Sequence, residues 1–314
     1  MTVFLMCGTV SAQTKWDMPM AYPVNNFHSG NNQKFADAVK QRTDGKLQIV
    51  THPGASLFKA PEIKRAVQTG QAQIGEVLMV LLANEYAIYE ADFLPFFADS
   101  FEDAVKLYQI QKPFVEKNLD SQGMKLLYAV IWPPQGLYSS REIKTVGDMR
   151  GLAWRAQSTA MIRIAELVKA QPVTVQAAEL SQALATGKVN AMMSSATTGV
   201  DSKVWEQVKY FYDTQACLPK NMVIVNKSSL NKLDMATQNI LMEEGKKAEA
   251  AGWDACKKVT AESVAILKKN GMLVQPPSPE LKKGLAEVGK IMAEEWAKKA
   301  GADGLKLLEE FRKK

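Results

Sequence analysis

The sequence predicts an α/β protein of two lobes that face each other across a central cleft, with a long helix spanning both lobes. A fourteen-residue pattern of short helix, Thr-Gly stop and strand occurs at 62–75 and again at 179–192. In both copies, apolar residues at helical spacing precede the glycine, and strand-like alternation follows it. Strand and helix patterns also precede each copy. Each half is therefore predicted to be β-α-β-α-β, and two such parallel sheets leave a cleft where small molecules bind.

The first lobe is predicted element by element from these patterns. We predict strand 19–24, a helix at about 30–43 and strand 47–52 before the first copy of the repeat, and a helix near 101–118 and strand 126–131 after it. Pro133 and Pro134 follow this last strand and remove donors from its ladder. A hinge between the lobes is predicted at these prolines.

The second lobe and the long helix follow. We predict strand 152–157, helix 159–169 and strand 172–176, and strand 222–225 is predicted to return to the first lobe. Residues 234–270 contain no proline and would form a helix about 55 Å long, enough to span both lobes. Gly245 and Gly252 weaken this helix and are candidate sites for a bend.

The predicted domain boundaries follow from this order of elements. Lobe one comprises 13–136 and 222–250, lobe two comprises 137–221 and 271–314, and the spanning helix is 234–270. Within the last segment, helix 279–299 and the tail to 314 are predicted to pack on lobe two. Residues 1–12 are interpreted as the remnant of a signal peptide because an apolar run ends in Val10-Ser11-Ala12. The positive N-terminal region of such a peptide is missing, so an accidental apolar start is the alternative.

Composition narrows the class of protein. The 314 residues are 46% hydrophobic and 23% charged, which is typical of a soluble globular chain. The net charge of +6 comes from dispersed lysines, a pattern that argues against nucleic-acid binding. No apolar run is long enough to span a membrane. Cys217 and Cys256 are expected to be buried free thiols, with a disulfide between them as the alternative.

Sequence motifs for catalysis are missing. The chain contains none of the usual nucleotide-binding, metalloprotease or serine-hydrolase motifs. Its two histidines, His28 and His52, both lie in the predicted first lobe, far in sequence from the hydroxyls of the second. Two histidines without carboxylates at ligand spacing also argue against a metal site. We therefore expect no enzyme activity, no cofactor and no metal.

Arginine placement points to a binding site instead. Arg155 ends a predicted strand and is followed by Ser158, which can cap the next helix. A guanidinium beside free helix amides suits a carboxylate ligand. The alternative is a structural ion pair with a nearby Asp or Glu, and sequence spacing alone leaves both open.

The segment 146–159, VGDMRGLAWRAQST, resembles a signature of the solute-binding proteins of tripartite ATP-independent periplasmic (TRAP) transporters, the DctP-like family. Shorter matches occur in the same order at Pro53-Gly54, at Thr69-Gly70, at 94–96 and at 187–191. The resemblance implies a periplasmic-binding-protein-like fold of type II character, export to the periplasm and TRAP membrane permease subunits as partners. It also implies that Arg155 binds the carboxylate of a small organic acid.

The resemblance also bears on the second lobe. Ser194 stands where the family often has an Asn that contacts the carboxylate, and we expect it to donate one hydrogen bond. Met192 replaces a polar residue there, and it is either core packing or a cleft residue.

Other candidate contacts come from predicted strand ends. Asn26 and His28 follow the first strand, although their polar groups could instead serve the turn and the helix cap. Glu76 and Met79 follow the strand of the first repeat. Trp132 and Phe211 are candidate aromatic walls, with a core role as the alternative for each.

Together these features predict an exported receptor that closes over a small carboxylate and delivers it to a permease. With Met192 and Ser194 in place of polar residues and Trp132 nearby, the pocket is predicted to suit a monocarboxylate with an apolar or aromatic body. A small-molecule enzyme or a sensor module on the same two-lobe plan remains as the alternative.

Overall fold

The computed structural model describes residues 13–313. Within that range the strands are β1 (Thr14–Pro19), β2 (Leu47–His52), β3 (Ile74–Leu78), β4 (Met124–Ile131), β5 (Gln135–Ser139), β6 (Ala153–Ala156), β7 (Gln171–Thr174), β8 (Ala191–Ser195), β9 (Tyr210–Tyr212), β10 (Lys220–Asn226) and β11 (Leu273–Gln275). The α-helices are α1 (Phe27–Arg42), α2 (Ile63–Gln68), α3 (Phe101–Ser121), α4 (Thr159–Leu167), α5 (Leu180–Ala185), α6 (Ala196–Asp201), α7 (Lys227–Asn231), α8 (Met235–Lys269) and α9 (Pro279–Arg312). The predicted signal-peptide remnant, 1–12, lies outside the described residues.

The internal repeat folds as predicted into two β-α-β-α-β units. The first runs from β1 to β3 and the second from β6 to β8. β1 pairs in parallel with β2, and β6 pairs in parallel with β7 and β8. The predicted parallel sheet of the first half forms only in part, because β3 lies in a separate sheet and pairs with β10 in the antiparallel direction. In each copy the short helix stops at a glycine with positive φ, 76° at Gly70 and 69° at Gly187. These glycines permit the left-handed turn that leads into the next strand.

The first strand lies earlier than predicted. We predicted 19–24, whereas β1 is Thr14–Pro19 and an irregular loop then leads to α1. Trp16 and Met18 point into the core of the first sheet, so the alternating pattern that defines the strand begins before Pro19. The prediction was wrong because the strand opens with the polar Thr14 and Lys15, directly after the sequence that was interpreted as a signal-peptide remnant. The loop after β1 therefore follows the carboxyl end of a parallel strand.

Two groups of strands form the two sides of the molecule. On one side, β10 lies between β3 and β4 and is antiparallel to both, which confirms the predicted return of the chain. On the other, six strands follow the order β11-β9-β5-β8-β6-β7. β4 ends at Ile131 and β5 begins at Gln135, so the two prolines separate the sheets as predicted. The chain crosses between the two sides at this point.

Helix α8 is continuous over 35 residues, close to the predicted 234–270. It packs against α1 and β4 on one side and against α6 and β11 on the other. Gly245 and Gly252, which we expected to weaken it, instead face β4. A Cβ atom at Gly252 would come within 2.5 Å of the Val130 side chain. These glycines allow close packing of helix on strand rather than a bend.

Helix α9 is longer than predicted and touches both sides. It extends from Pro279 to Arg312, with a break at Gly301 where φ is 57° and ψ is −139°. Trp296 Nε1 donates a hydrogen bond to Ala87 O at 2.7 Å, and Arg163 on α4 pairs with Glu295 at 2.7 Å. The described part of this segment, 271–313, thus contacts elements of both predicted lobes. How the chain divides into moving lobes stays a prediction of the sequence.

Both cysteines in the described range, Cys217 and Cys256, are buried and unpaired, which confirms the expected free thiols. Burial raises the pKa of each thiol. Among residues 13–313, no helix combines the length and apolar character that crossing a membrane requires.

Candidate ligand-binding site

A cavity lies between the two sheets and is lined by residues of both. Its empty space is about 500 Å³, part of it open to solvent. One side contributes Ala21, Tyr22, Ala60, Leu78, Leu81, Phe93, Trp132 and Pro219, and the other contributes Gln135, Arg155, Gln157, Gln176, Ala177, Ser194 and Thr198. Most of these residues lie at or just beyond the ends of strands, where open α/β sheets hold their ligands.

Arg155 is the one charged residue in this lining. It lies on β6, and only 3% of the residue is exposed. Its Nε donates a hydrogen bond to Val175 O at 3.1 Å, which holds the guanidinium in place. Within residues 13–313 no carboxylate oxygen lies within 4.0 Å of it, and its two terminal nitrogens make no hydrogen bond. The cavity therefore holds a cation without an anionic partner.

The electrostatic consequence is visible in the pKa of Arg155. Burial lowers this pKa to about 10, and the charge interaction with Tyr22 across the cavity opposes the shift. A buried cation without a partner is costly, and an anionic ligand would remove that cost. The structural ion pair that was the alternative from sequence is not found among the described residues. The geometry is suited to a bidentate contact with a carboxylate.

The amide end of helix α4 lies close by but outside the cavity lining. Ser158 caps this helix, and its hydroxyl accepts a hydrogen bond from Met161 N at 3.4 Å. Ser158 and Thr159 line a neighbouring depression that shares Leu81 and Gln157 with the cavity. The predicted pairing of guanidinium and helix amides in one site is thus only partly assembled.

Two further predicted residues, Ser194 and Trp132, also line the cavity. Ser194 lies near the carboxyl end of β8, and 4% of the residue is exposed. Trp132 follows β4, and its Nε1 donates a hydrogen bond to Asn221 Oδ1 at 2.9 Å. The Trp132 and Tyr22 rings pack with centroids 4.7 Å apart. These two rings form an aromatic wall held from behind by Asn221.

His28 and Glu76 lie behind this wall and do not line the cavity. The His28 ring packs against Trp132 and Phe27 with centroid distances of 4.2 and 4.1 Å. Its Nδ1 lies 3.6 Å from Glu76 Oε1. Burial lowers the pKa of His28 well below its ordinary value and raises the pKa of Glu76 to about 7. Both residues support the wall.

Asn26 also makes protein contacts rather than lining the cavity. Its Oδ1 accepts a hydrogen bond from His28 N at 2.9 Å and caps α1, as the alternative interpretation from sequence held. Its Nδ2 donates to Asp201 Oδ2 at 2.6 Å. Asp201 lies on the other side of the cleft.

The remaining three predicted residues lie in cores and are kept from the cavity by packing. Met79 is fully buried in the main hydrophobic core, which includes residues of both sides, while its neighbours Leu78 and Leu81 reach the cavity. Met192 lies on the same face of β8 as Ser194 but two residues deeper, within the core of the second side.

Phe211 packs against Tyr138 with ring centroids 4.6 Å apart. It also covers Gly136, where any Cβ would collide with its ring. The alternative of a core role describes Phe211 and Met192, whereas Met79 was expected at the cleft and lies in the core instead.

The prediction missed the polar side chains that give the cavity most of its hydrogen-bonding capacity. Tyr22 follows β1, Gln157 follows β6, Gln176 follows β7, and Gln135 opens β5 directly after the prolines. The position rule that selected Arg155 would have selected these residues too, because each lies at a strand end that faces the cleft. Three glutamine amides also make the cavity more polar than predicted.

No group of three or more His, Cys, Asp or Glu among residues 13–313 is placed to hold a metal ion. No histidine lines the cavity with the hydroxyls of Tyr22, Ser194 and Thr198, and His28 lies behind the wall with its ring centroid 6.2 Å from that of Tyr22. His52 lies elsewhere, on β2, where its Nε2 is 2.8 Å from Asp17 Oδ1.

Comparison with known proteins agrees with this geometry. Residues 20–299 match the family model described as DctP, bacterial extracellular solute-binding protein, family 7. The chain is 54% identical to DctP6, a Bordetella pertussis extracytoplasmic solute receptor that binds pyroglutamic acid and whose crystal structure is known. The match covers 96% of this chain and 100% of that one, with a TM-score of 0.94.

Two further relatives extend the comparison. A TRAP solute-binding protein of an unidentified marine microbe, specific for pyroglutamate, is 42% identical, with 96% and 99% of the two chains covered and a TM-score of 0.94. The sialic acid-binding periplasmic protein SiaP of Vibrio cholerae is 22% identical over 278 residues, which cover 87% of this chain and 86% of SiaP. The chain thus belongs to the DctP family of bacterial extracellular solute-binding proteins.

Proposed function

We propose that this protein is an extracytoplasmic receptor that captures pyroglutamate in the cavity and delivers it to the membrane subunits of a TRAP transporter. The observation that carries the proposal is Arg155, a buried cation that has no carboxylate partner among residues 13–313 and lies in a cavity whose lining holds no other charge. One cation matches one carboxylate. A second carboxylate, or an ammonium group, would be buried there without a counter-ion.

The uncharged lining suits the rest of the ligand. Pyroglutamate is a five-membered lactam, with one N–H donor and one C=O acceptor in the ring. The amides of Gln135, Gln157 and Gln176 each offer both a donor and an acceptor. Trp132 and Phe93 supply apolar surface for the ring carbons. The ligand body is thus proposed to be part polar, unlike the apolar or aromatic body expected from sequence.

The relatives support the same ligand. DctP6 and the marine receptor, at 54% and 42% identity, both bind pyroglutamate. A receptor rather than an enzyme is supported by the cavity lining, which among the described residues contains no histidine that could activate its hydroxyls. Delivery to a permease, rather than service as a sensor, rests on the family. Export would require a signal peptide, of which residues 1–12 are proposed to be the end.

A ligand panel tests the proposal by thermal shift and calorimetry. L-Pyroglutamate should bind and, at 100 times its dissociation constant, stabilise the fold by about 2.7 kcal/mol. L-Proline lacks the lactam carbonyl, 2-pyrrolidone lacks the carboxylate, and L-glutamate adds both an ammonium group and a second carboxylate. Each should bind at least tenfold more weakly. Equal binding of 2-pyrrolidone, or tighter binding of L-glutamate, would contradict the proposal.

A further inference from the structure

One side-chain hydrogen bond crosses the cleft. Asn26 Nδ2 donates to Asp201 Oδ2 at 2.6 Å, between the loop before α1 and the last residue of α6. Within the described chain, it is the only side-chain hydrogen bond or ion pair that joins 13–131 to 135–216. Neither residue lines the cavity. The contact is therefore separate from the residues proposed to touch the ligand.

Asn26 is held by its own side of the cleft. Its Oδ1 caps α1 by accepting the hydrogen bond from His28 N at 2.9 Å. Its backbone is fixed as well, since its N–H donates to Pro23 O and its carbonyl accepts from Gly30 N, both at 3.0 Å. With Oδ1 engaged in the cap, the amide must present Nδ2 to the opposite side. Only 1% of Asn26 is exposed.

Asp201 is held just as firmly by the other side. Helix α6 begins directly after β8, and Ser195 caps it by accepting from Thr198 N at 3.1 Å. Gly199 on this helix lies so close to Tyr138 of β5 that any Cβ would collide with the ring. Thr198, three residues before Asp201, lines the cavity. The same short helix thus carries a cavity residue and the cross-cleft acceptor.

We infer that the Asn26–Asp201 hydrogen bond is a closing contact that slows release of the bound ligand without touching it. This inference rests on the proposed function. Release from a closed cavity requires the two sides to separate, and that motion must break this bond. Entry into an open cleft precedes its formation. The bond should therefore set the dissociation rate and leave the association rate nearly unchanged.

The carboxylate makes this bond strong enough to matter. Burial raises the pKa of Asp201 to about 6, and the hydrogen bond from Asn26 opposes the shift. At pH 7.5 the carboxyl group is mostly ionised, so the bond is charge-assisted. Loss of such a bond corresponds to an increase in the ligand dissociation rate by a factor of roughly 10 to 100.

Stopped-flow fluorescence with L-pyroglutamate tests the inference at pH 7.5, with Trp132 in the cavity wall as reporter. Asp201→Ala should raise the dissociation rate constant roughly 10- to 100-fold and change the association rate constant less than about threefold. Asn26→Ser keeps a cap for α1 but loses the donor, and it should have a similar effect. Combined with Asp201→Ala, it should add little further. Glu206→Ala removes an exposed charge five residues away and serves as the control.

The inference fails if Asp201→Ala releases ligand at the wild-type rate, or if both rate constants fall together. A second measurement needs no ligand. The distance between spin labels on exposed Gln71 and Lys188 reports closure of the unliganded protein, and Asp201→Ala should shift it to longer values relative to Glu206→Ala. Should the wild type not bind L-pyroglutamate, the proposed function fails, whereas an unchanged distance distribution in Asp201→Ala would overturn the closing contact.

Discussion

Replacement of Glu76 by glutamine should make the unliganded protein more stable at alkaline pH. Glu76 lies on β3, and 2% of the residue is exposed. Burial raises its pKa from 4.5 to about 7. No lysine or arginine lies within 4.0 Å of it among the described residues, and its Oε2 is buried without a hydrogen-bond partner. The ionised carboxylate is therefore poorly compensated in the fold.

The size of the effect follows from this pKa. A carboxyl group whose pKa is raised by folding costs stability when it is ionised. The cost is absent below about pH 4.5, grows as pH rises, and is complete above about pH 7. A shift of about 2.5 pKa units corresponds to ~3 kcal/mol. Glu76→Gln is neutral at every pH, so its advantage should approach this value at pH 8 and vanish near pH 4.5.

Urea denaturation followed by circular dichroism measures this difference at pH 5 and pH 8. Glu206→Gln, at an exposed position, is the matched control and should change the free energy of unfolding by less than about 0.5 kcal/mol at either pH. A Glu76→Gln variant that differs from the wild type equally at both pH values would refute the reasoning. So would a variant that is less stable than the wild type at pH 8.

Two further predictions concern packing and burial, and both are measured by urea denaturation of the unliganded protein. Gly252→Ala should lower the free energy of unfolding by about 1–3 kcal/mol because its Cβ would collide with β4. Gly30→Ala on α1 has open space around the Cβ and should raise the free energy of unfolding by about 0.5–1 kcal/mol. A similar effect of both substitutions would contradict close packing of α8 on β4. Asp92→Ala should cost about 3–5 kcal/mol because it leaves Lys220, 3.3 Å away and fully buried, without its partner. Lys227→Ala breaks the exposed ion pair with Asp120 and should lower the free energy of unfolding by less than about 1 kcal/mol. Equal losses for Asp92→Ala and Lys227→Ala would contradict the conclusion that burial makes the Asp92–Lys220 pair costly to break.

The repeat and the long helix could be predicted because they depend on local patterns. Gly70 and Gly187 each stop a short helix, and helical spacing followed by alternation is visible without tertiary information. The role of Gly252 could not be predicted in the same way. Its reason is the side chain of Val130, more than a hundred residues away in sequence. In the sequence alone, a glycine that permits close packing cannot be told from a glycine that weakens a helix, because the packing partner is not known.

In the binding site, too, some residues could be predicted from local sequence and others depend on packing between distant segments. Arg155 could be found because one guanidinium at a strand end is rare in a chain with seven arginines. Gln157 and Gln176 meet the same position rule, directly after β6 and β7, but they were not selected because uncharged amides are common at turns. His28 was selected because it follows the first predicted strand, yet it lies one layer behind the cavity. Which layer a side chain reaches depends on how Trp132 and Tyr22 pack, and that packing brings together distant segments.

The dissociation constant of L-pyroglutamate for Arg155→Ala, measured by calorimetry, tests the central claim most directly. If the buried guanidinium holds the carboxylate, the constant should rise by a factor of roughly 30 to several thousand, equivalent to 2–5 kcal/mol. The unfolding temperature of the unliganded variant should not fall, since the substitution removes a buried charge without a partner. Arg150→Ala, at an exposed turn in the same segment, should bind like the wild type. An unchanged dissociation constant for Arg155→Ala would contradict the account.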